Sequence, residues 1–274
     1  MGNWLRGARF AGAAAVLMTA LQLSPIPTAS GAEAYKAQRT ADGKADLNGI
    51  WQALNPANWD LQEHAARPGV VVALGAAGAV PAGLSVVEGD EIPYLPAAAA
   101  KKKENFENRL TADPEIKCYL PGVPRATYMP YPFQIVQTPQ FILMAYEFAG
   151  AARTIYMDKA PPNPVDSWMG HSVGHWEGDT LVVDVTRLNE ETWFDRAGNF
   201  HSDALHVVER YTPLSADALT YDVTIEDPKV FSRPWKMSMP LYRRLDKNAQ
   251  LMEFKCVEFV EELMYGHLRK QPSK

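Results

Sequence analysis

The chain has 274 residues, 27 basic against 32 acidic side chains and a formal net charge of −5. A moderately acidic chain has no electrostatic reason to bind nucleic acid. Beyond the first 30 or so residues no apolar run approaches membrane length, so a mature protein without a membrane span is expected.

Residues 1–32 read as a secretory signal peptide. Arg6 and Arg9 make a basic start, FAGAAAVLMTALQL is a short apolar core, and SPIPTASGA supplies small residues and helix breakers. Export to a periplasmic or extracellular location follows, and an oxidising destination suits a disulfide between the only cysteines, Cys118 and Cys256. Residues 33–48 are polar and without apolar periodicity, an extended lead-in. A single β domain is expected over 49–264, with a polar tail at 265–274.

GIWQ opens the domain, and its G-x-W matches the first strand of lipocalins. The Gly- and Ala-rich stretch within 65–95 has no clean period and predicts an irregular region. AAAAKKKENFENRLTADP predicts one short helix near 97–112, stopped by Pro114. The proline-studded CYLPGVPRATYMPYP is neither regular helix nor central strand and reads as an ordered segment lying across a surface, with Arg125 in its middle.

From Phe133 the pattern is β. FQIVQT and FILMAYEF flank a two-residue link, RTIYMD follows, and GHW and TLVVDV make a hairpin around Gly178. LHVVERY, ALTYDVTIED, WKMSMPLYRRL and AQLMEFKCVEF complete the series. In ALTYDVTIED, Leu219, Tyr221, Val223 and Ile225 alternate with polar residues. Eight or nine short strands joined by tight turns argue a mainly β, antiparallel up-and-down barrel, lipocalin-like, with a two-sheet β-sandwich as the alternative.

Four of the six histidines fall between Trp168 and Arg210. His171, His175, His201 and His206 are candidate acids or bases, Asp195 and Asp203 their orienting partners, and Tyr156 a proton donor. Arg210 is the candidate for an anionic group of a substrate, Arg153 a further substrate-binding candidate from a neighbouring strand, and Trp168, Trp176 and Trp193 candidates for lining an aromatic ligand. His206 and Arg210 share one face of their strand, so if one points into the barrel both do. The competing reading makes Asp195, Arg196 and Glu209 structural ion pairs bracing a long loop.

This points to metal-free acid–base chemistry of lyase, decarboxylase or isomerase type on a small aromatic or apolar, anionic or neutral molecule, with no cofactor. The first alternative is a non-catalytic, lipocalin-like binding protein. A second rests on Gly170-His171-Ser172-Val173-Gly174, which fits the G-x-S-x-G nucleophile elbow of serine hydrolases but lacks its strand before and helix after. Zinc held by His171, His175 and His201 is the cofactor alternative, although their spacing fits no compact metal signature.

Taken together, DP-x₃-C-x₂-PG-x-PR, RTIYMD, GHSVG-x-WEGDTLVVD, W-x-DRAGN-x-HSDALHVVERY and TIEDP-x-x-F-x-x-PW resemble a family of exported bacterial proteins of unassigned function. The resemblance covers roughly residues 40–260. It implies a secreted, β-rich protein, met in bacteria that degrade complex or aromatic carbon. Between Asp158 and Trp168 the chain departs from that pattern, reading DKAPPNPVDS where a DGR-x-H-type stretch is expected.

Overall fold

A computed structural model describes residues 35–159, 161–162 and 165–269. The segment read as a signal peptide and the last residues of the expected polar tail lie outside these. Nine strands close into a lipocalin-like barrel in which spatial order follows chain order. They are β1 (Gly49–Ala53), β2 (Phe133–Gln137), β3 (Phe141–Tyr146), β4 (Ala152–Met157) and β5 (His171–Glu177), then β6 (Thr180–Thr186), β7 (His206–Ser215), β8 (Ala218–Glu226) and β9 (Trp235–Arg243). Because β1 pairs with both β2 and β9, the ring is closed and the sandwich alternative is not adopted.

Strand pairing is antiparallel except between β4 and β5, which run parallel. This is where the structure leaves a pure up-and-down meander, and the reason is arithmetic: alternating directions cannot close a ring of nine. Parallel neighbours need a crossover rather than a hairpin, and the proline-rich run from Asp158 to Gly170 supplies it.

Inward-facing side chains fill the barrel. The period-2 pattern of β8 puts Leu219, Tyr221, Val223 and Ile225 inside, where they meet Met237, Met239 and Leu241 from β9 and Val183 and Val185 from β6. Full burial of each aliphatic side chain contributes about 1.5–3 kcal/mol. The outward faces carry His175, Glu177, Asp184, Arg210, Asp222 and Glu226, so the wall is polar outside and apolar inside.

Apart from the β4–β5 crossover, which runs from one end to the other, the registers put the long connections at one end. Tight turns such as Gly178-Asp179, where Gly178 takes φ +60°, close the opposite end. The capped end receives 54–132, 187–205 and 227–234. The first segment holds irregular backbone through 65–95, then α1 (Pro96–Glu107) and α2 (Arg109–Ala112), so the expected helix is present but breaks at Asn108. It ends in α3 (Arg125–Tyr128), a single turn buried throughout. The expectation that this stretch lies across a surface is therefore corrected, since Tyr128 donates to the Phe194 carbonyl beneath the 187–205 loop. The lead-in is also more than extended, for Leu47 is buried and its N–H donates to Gln137 Oε1 of β2.

AQLMEFKCVEF is not a strand. Its neighbour β9 already has partners on both edges, β8 and β1, so no open edge remains for it. It forms instead an extended strap along the outside. The strap leaves β9 where the Arg244 N–H meets the Ile50 carbonyl, donates from Met252 to Glu147, and packs Phe254 against Tyr131 and Phe148 at 4.9 and 5.1 Å. The Cys118–Cys256 disulfide pins it, with Cα atoms 5.6 Å apart, and α4 (Val260–Tyr265) follows. Among the described residues no helix is long and apolar enough to cross a membrane.

The disulfide links positions 138 apart, and chain-entropy reasoning puts its loss at about 4–5 kcal/mol. The paired change Cys118→Ser and Cys256→Ser is expected to lower Tm and to expose residues 246–259 to limited proteolysis while β1–β9 stay intact. A strap that resists protease in the serine variant would show that its packing alone holds it.

Candidate functional site

The parallel pair β4/β5 shapes the wall at the capped end. Their ladder begins only at Ile155 opposite Ser172, so the start of β4 runs beyond β5 without a partner on that side. A cleft of about 490 Å³ opens there, within the range of small-molecule sites. Its inner wall is Arg153 and Ser172, both buried. Around these stand Tyr156 and Thr154 of β4, His171 of β5, Trp168 and Met169 from the crossover, and Leu120 from the cap. The Tyr156 and His171 rings lie 5.9 Å apart, and Trp168 is tilted against Tyr119 at 4.8 Å.

Behind the inner wall lies a buried polar network. Arg153 and Glu209 meet in a two-pronged ion pair, Nη1 to Oε2 at 2.6 Å and Nη2 to Oε1 at 3.0 Å. Tyr211 and Tyr221 donate to Glu209 Oε1 at 2.9 and 2.6 Å. Arg153 also donates through Nε to the Tyr146 hydroxyl, through Nη2 to the Tyr211 hydroxyl, and through Nη1 to Ser172 Oγ at a long 3.5 Å. Burial works against the Arg153 charge, but Glu209 outweighs it and holds the guanidinium protonated. Burial first, and Glu209 second, push Tyr211 and Tyr221 far up, so both remain donors.

The expected site residues divide accordingly. Arg153, Tyr156, Trp168 and His171 converge at the cleft, together with Ser172. The others are elsewhere. His206 and Arg210 do share a face, but it is the outer one, and Glu209 takes the inner face. His206 sits between Asp184 and Glu226, at 2.9 and 3.2 Å; burial disfavours its charge, yet the two carboxylates raise its pKa. Arg210 pairs with Glu177, which also meets His175 at 3.3 Å. Trp176 packs partly against the core from the inner face of β5.

His201 is buried in the cap. Its Nδ1 faces the Ser202 carbonyl at 2.9 Å and its Nε2 the Thr192 hydroxyl at 2.6 Å, and burial lowers its pKa, so it is a neutral structural imidazole. Trp193 is a buried part of the same loop. Asp203 is exposed beside Lys229. Asp195 is fully buried and accepts the N–H groups of Leu61, Ala197 and Asn199 and the Asn199 amide; burial, then Asp60, push its carboxyl up to about 7. It shapes the loop and orients no histidine.

The loop-bracing alternative holds for Arg196, whereas Glu209 forms its ion pair with Arg153 inside the barrel. Arg196 grips Glu115 with two 2.7 Å bonds, and Glu115 also takes the buried Arg125 at 2.7 Å. Burial opposes the Glu115 charge, but Arg196 and Arg125 prevail and hold it at about 2.

Gly170-His171-Ser172-Val173-Gly174 has another explanation. Ser172 lies inside a regular strand rather than on a turn before a helix. Gly170 takes φ +67°, and a Cβ there would meet the Thr186 carbonyl at 2.9 Å; a Cβ on Gly174 would strike Ile155 at 2.7 Å. Packing therefore requires both glycines. His171, His175 and His201 do not meet, and among the described residues no group of three or more His, Cys, Asp or Glu side chains is placed to hold a metal ion. The interior network of Tyr146, Tyr211, Tyr221 and Glu209 was missed. Its signal was present: Glu209 alternates with Val207 and Tyr211 on an otherwise apolar face.

The fold and site define a closed, lipocalin-like barrel with a lateral cleft at its parallel strand pair. No known family and no curated protein matches the chain.

Two predictions follow from the cap. His201→Ala removes two buried hydrogen bonds and is expected to cost about 2 kcal/mol in urea unfolding, whereas His206→Ala stays within about 1 kcal/mol; equal effects would contradict the burial assignment. Glu115 has its pKa depressed by folding, so its stabilisation is complete above about pH 4.5 and is lost as pH falls towards 2. Glu115→Gln should flatten that acid limb, and breaking this buried ion cluster should cost about 3–5 kcal/mol at neutral pH.

Proposed function

We propose that the protein is exported and binds a small, flat, aromatic or apolar molecule in the β4/β5 cleft. The observation that carries this is the convergence of Trp168, Tyr156 and His171 at a cleft of about 490 Å³ whose inner wall offers polar Ser172 and Arg153. Aromatic rings give contact area at little entropic cost, and a few polar groups fix orientation. Export is supported by the disulfide, which persists in oxidising compartments, and by the resemblance of the motifs to exported bacterial proteins.

Acid–base catalysis is the second reading, and it narrows to one pair. His171 and Tyr156 alone among the expected acids and bases stand in the cleft, with rings 5.9 Å apart. His175, His201 and His206 have other partners.

A panel of small aromatic compounds screened by calorimetry tests both. Trp168→Ala is expected to weaken binding about tenfold, a loss of about 1.4 kcal/mol, while His175→Ala leaves it unchanged. A ligand bound equally well by Trp168→Ala lies elsewhere. If the bound compound is also converted, His171→Ala should abolish conversion and keep binding; retained turnover would remove the catalytic reading.

A further inference from the structure

The interior network bears on the charge of the ligand. Arg153 is one of the two arginines expected from the sequence to bind substrate. Among the described residues that line the cleft, Arg153 is the only arginine or lysine. Its charge is already matched, because Glu209 takes both of its Nη atoms and is itself completely buried. Nε goes to Tyr146, and Nη2 also reaches Tyr211. A carboxylate entering here would meet a neutral ion pair rather than a free cation. It would lose its hydration and gain no net opposite charge in a low-dielectric surrounding, a combination that disfavours burial of an ion.

The same groups suit a neutral acceptor. Ser172 is 1 % exposed, and its Oγ accepts the long Nη1 bond of Arg153. A hydroxyl that accepts keeps its own O–H to donate, and that hydrogen has no acceptor among the described residues. The cleft thus presents aromatic faces at its mouth and one neutral donor at its inner wall, with the Arg153–Glu209 pair orienting that donor from behind.

We infer that the ligand is an uncharged aromatic compound bearing a carbonyl or similar oxygen acceptor, which takes the Ser172 hydroxyl, and that the carboxylate analogue is rejected. This rests on the binding reading given above. The ligand's ring lies against Trp168 and Tyr156, and its oxygen points to Ser172.

Matched pairs test it without any change to the protein. Binding of 2-naphthamide and 2-naphthoate, and of acetophenone and benzoate, is measured by calorimetry on the full chain at about pH 8, where an ordinary imidazole carries no charge. The neutral member of each pair is expected to bind at least about tenfold tighter. In Ser172→Ala that advantage should shrink. Glu209→Gln, if folded by circular dichroism, leaves Arg153 unmatched and should turn the preference towards the carboxylates. Carboxylates that bind the unaltered protein as tightly as their neutral partners overturn the inference and leave the cleft as a binding site. Failure of every compound, neutral and charged, overturns the binding reading itself.

Discussion

Strands in a closed ring can alternate direction all the way round only if their number is even, and this ring has nine. One parallel pair is therefore compulsory. It falls between β4 and β5, and the crossover it requires brings Trp168 and Met169 over the start of β5. The short ladder of that pair leaves the wall incomplete beside Arg153 and Ser172. The cleft is thus a by-product of strand parity, and its contents are set by which residues happen to lie at the start of β4 and β5.

Two buried ionic clusters answer different needs. Arg153 and Glu209 lie inside the barrel, where each would be costly alone, and three tyrosine hydroxyls satisfy what the pair leaves open. Arg125, Arg196, Glu115 and Asp113 lie in the cap and tie the 54–132 segment to the 187–205 loop. The first cluster is in the wall of a cavity and the second is in a joint. Both were visible in the sequence only as scattered charges.

Much of the barrel was legible because period-2 alternation and turn residues are local signals. β8 and the Gly178 hairpin could be read directly. Alternation says which residues share a face, but it does not say which face is inside. That is why His206 and Arg210 were grouped correctly and expected to be usable from the interior, while Glu209, their neighbour, is the one inside. The strap over 249–259 has strand composition, yet strand formation depends on a free edge, and ring closure is a non-local fact. Histidine density in 168–210 was a poor guide for the same reason. Four rings close in sequence were sent to the cleft, the outer wall and the cap by strands and loops that diverge. The cleft residues Tyr156, Trp168 and His171 were found by their chemistry and not by their spacing.

The strand order has a further meaning. Each strand lies beside its predecessor in the chain, and the last lies beside the first, where Arg243 Nη1 reaches the Asn48 carbonyl across 195 positions of sequence. The barrel is therefore cyclic in its connectivity as well as in its shape. The places where the polypeptide enters and leaves the ring are adjacent points on one rim, so the covalent gap between β9 and β1 is a matter of where the chain was cut, and the architecture itself has no first strand.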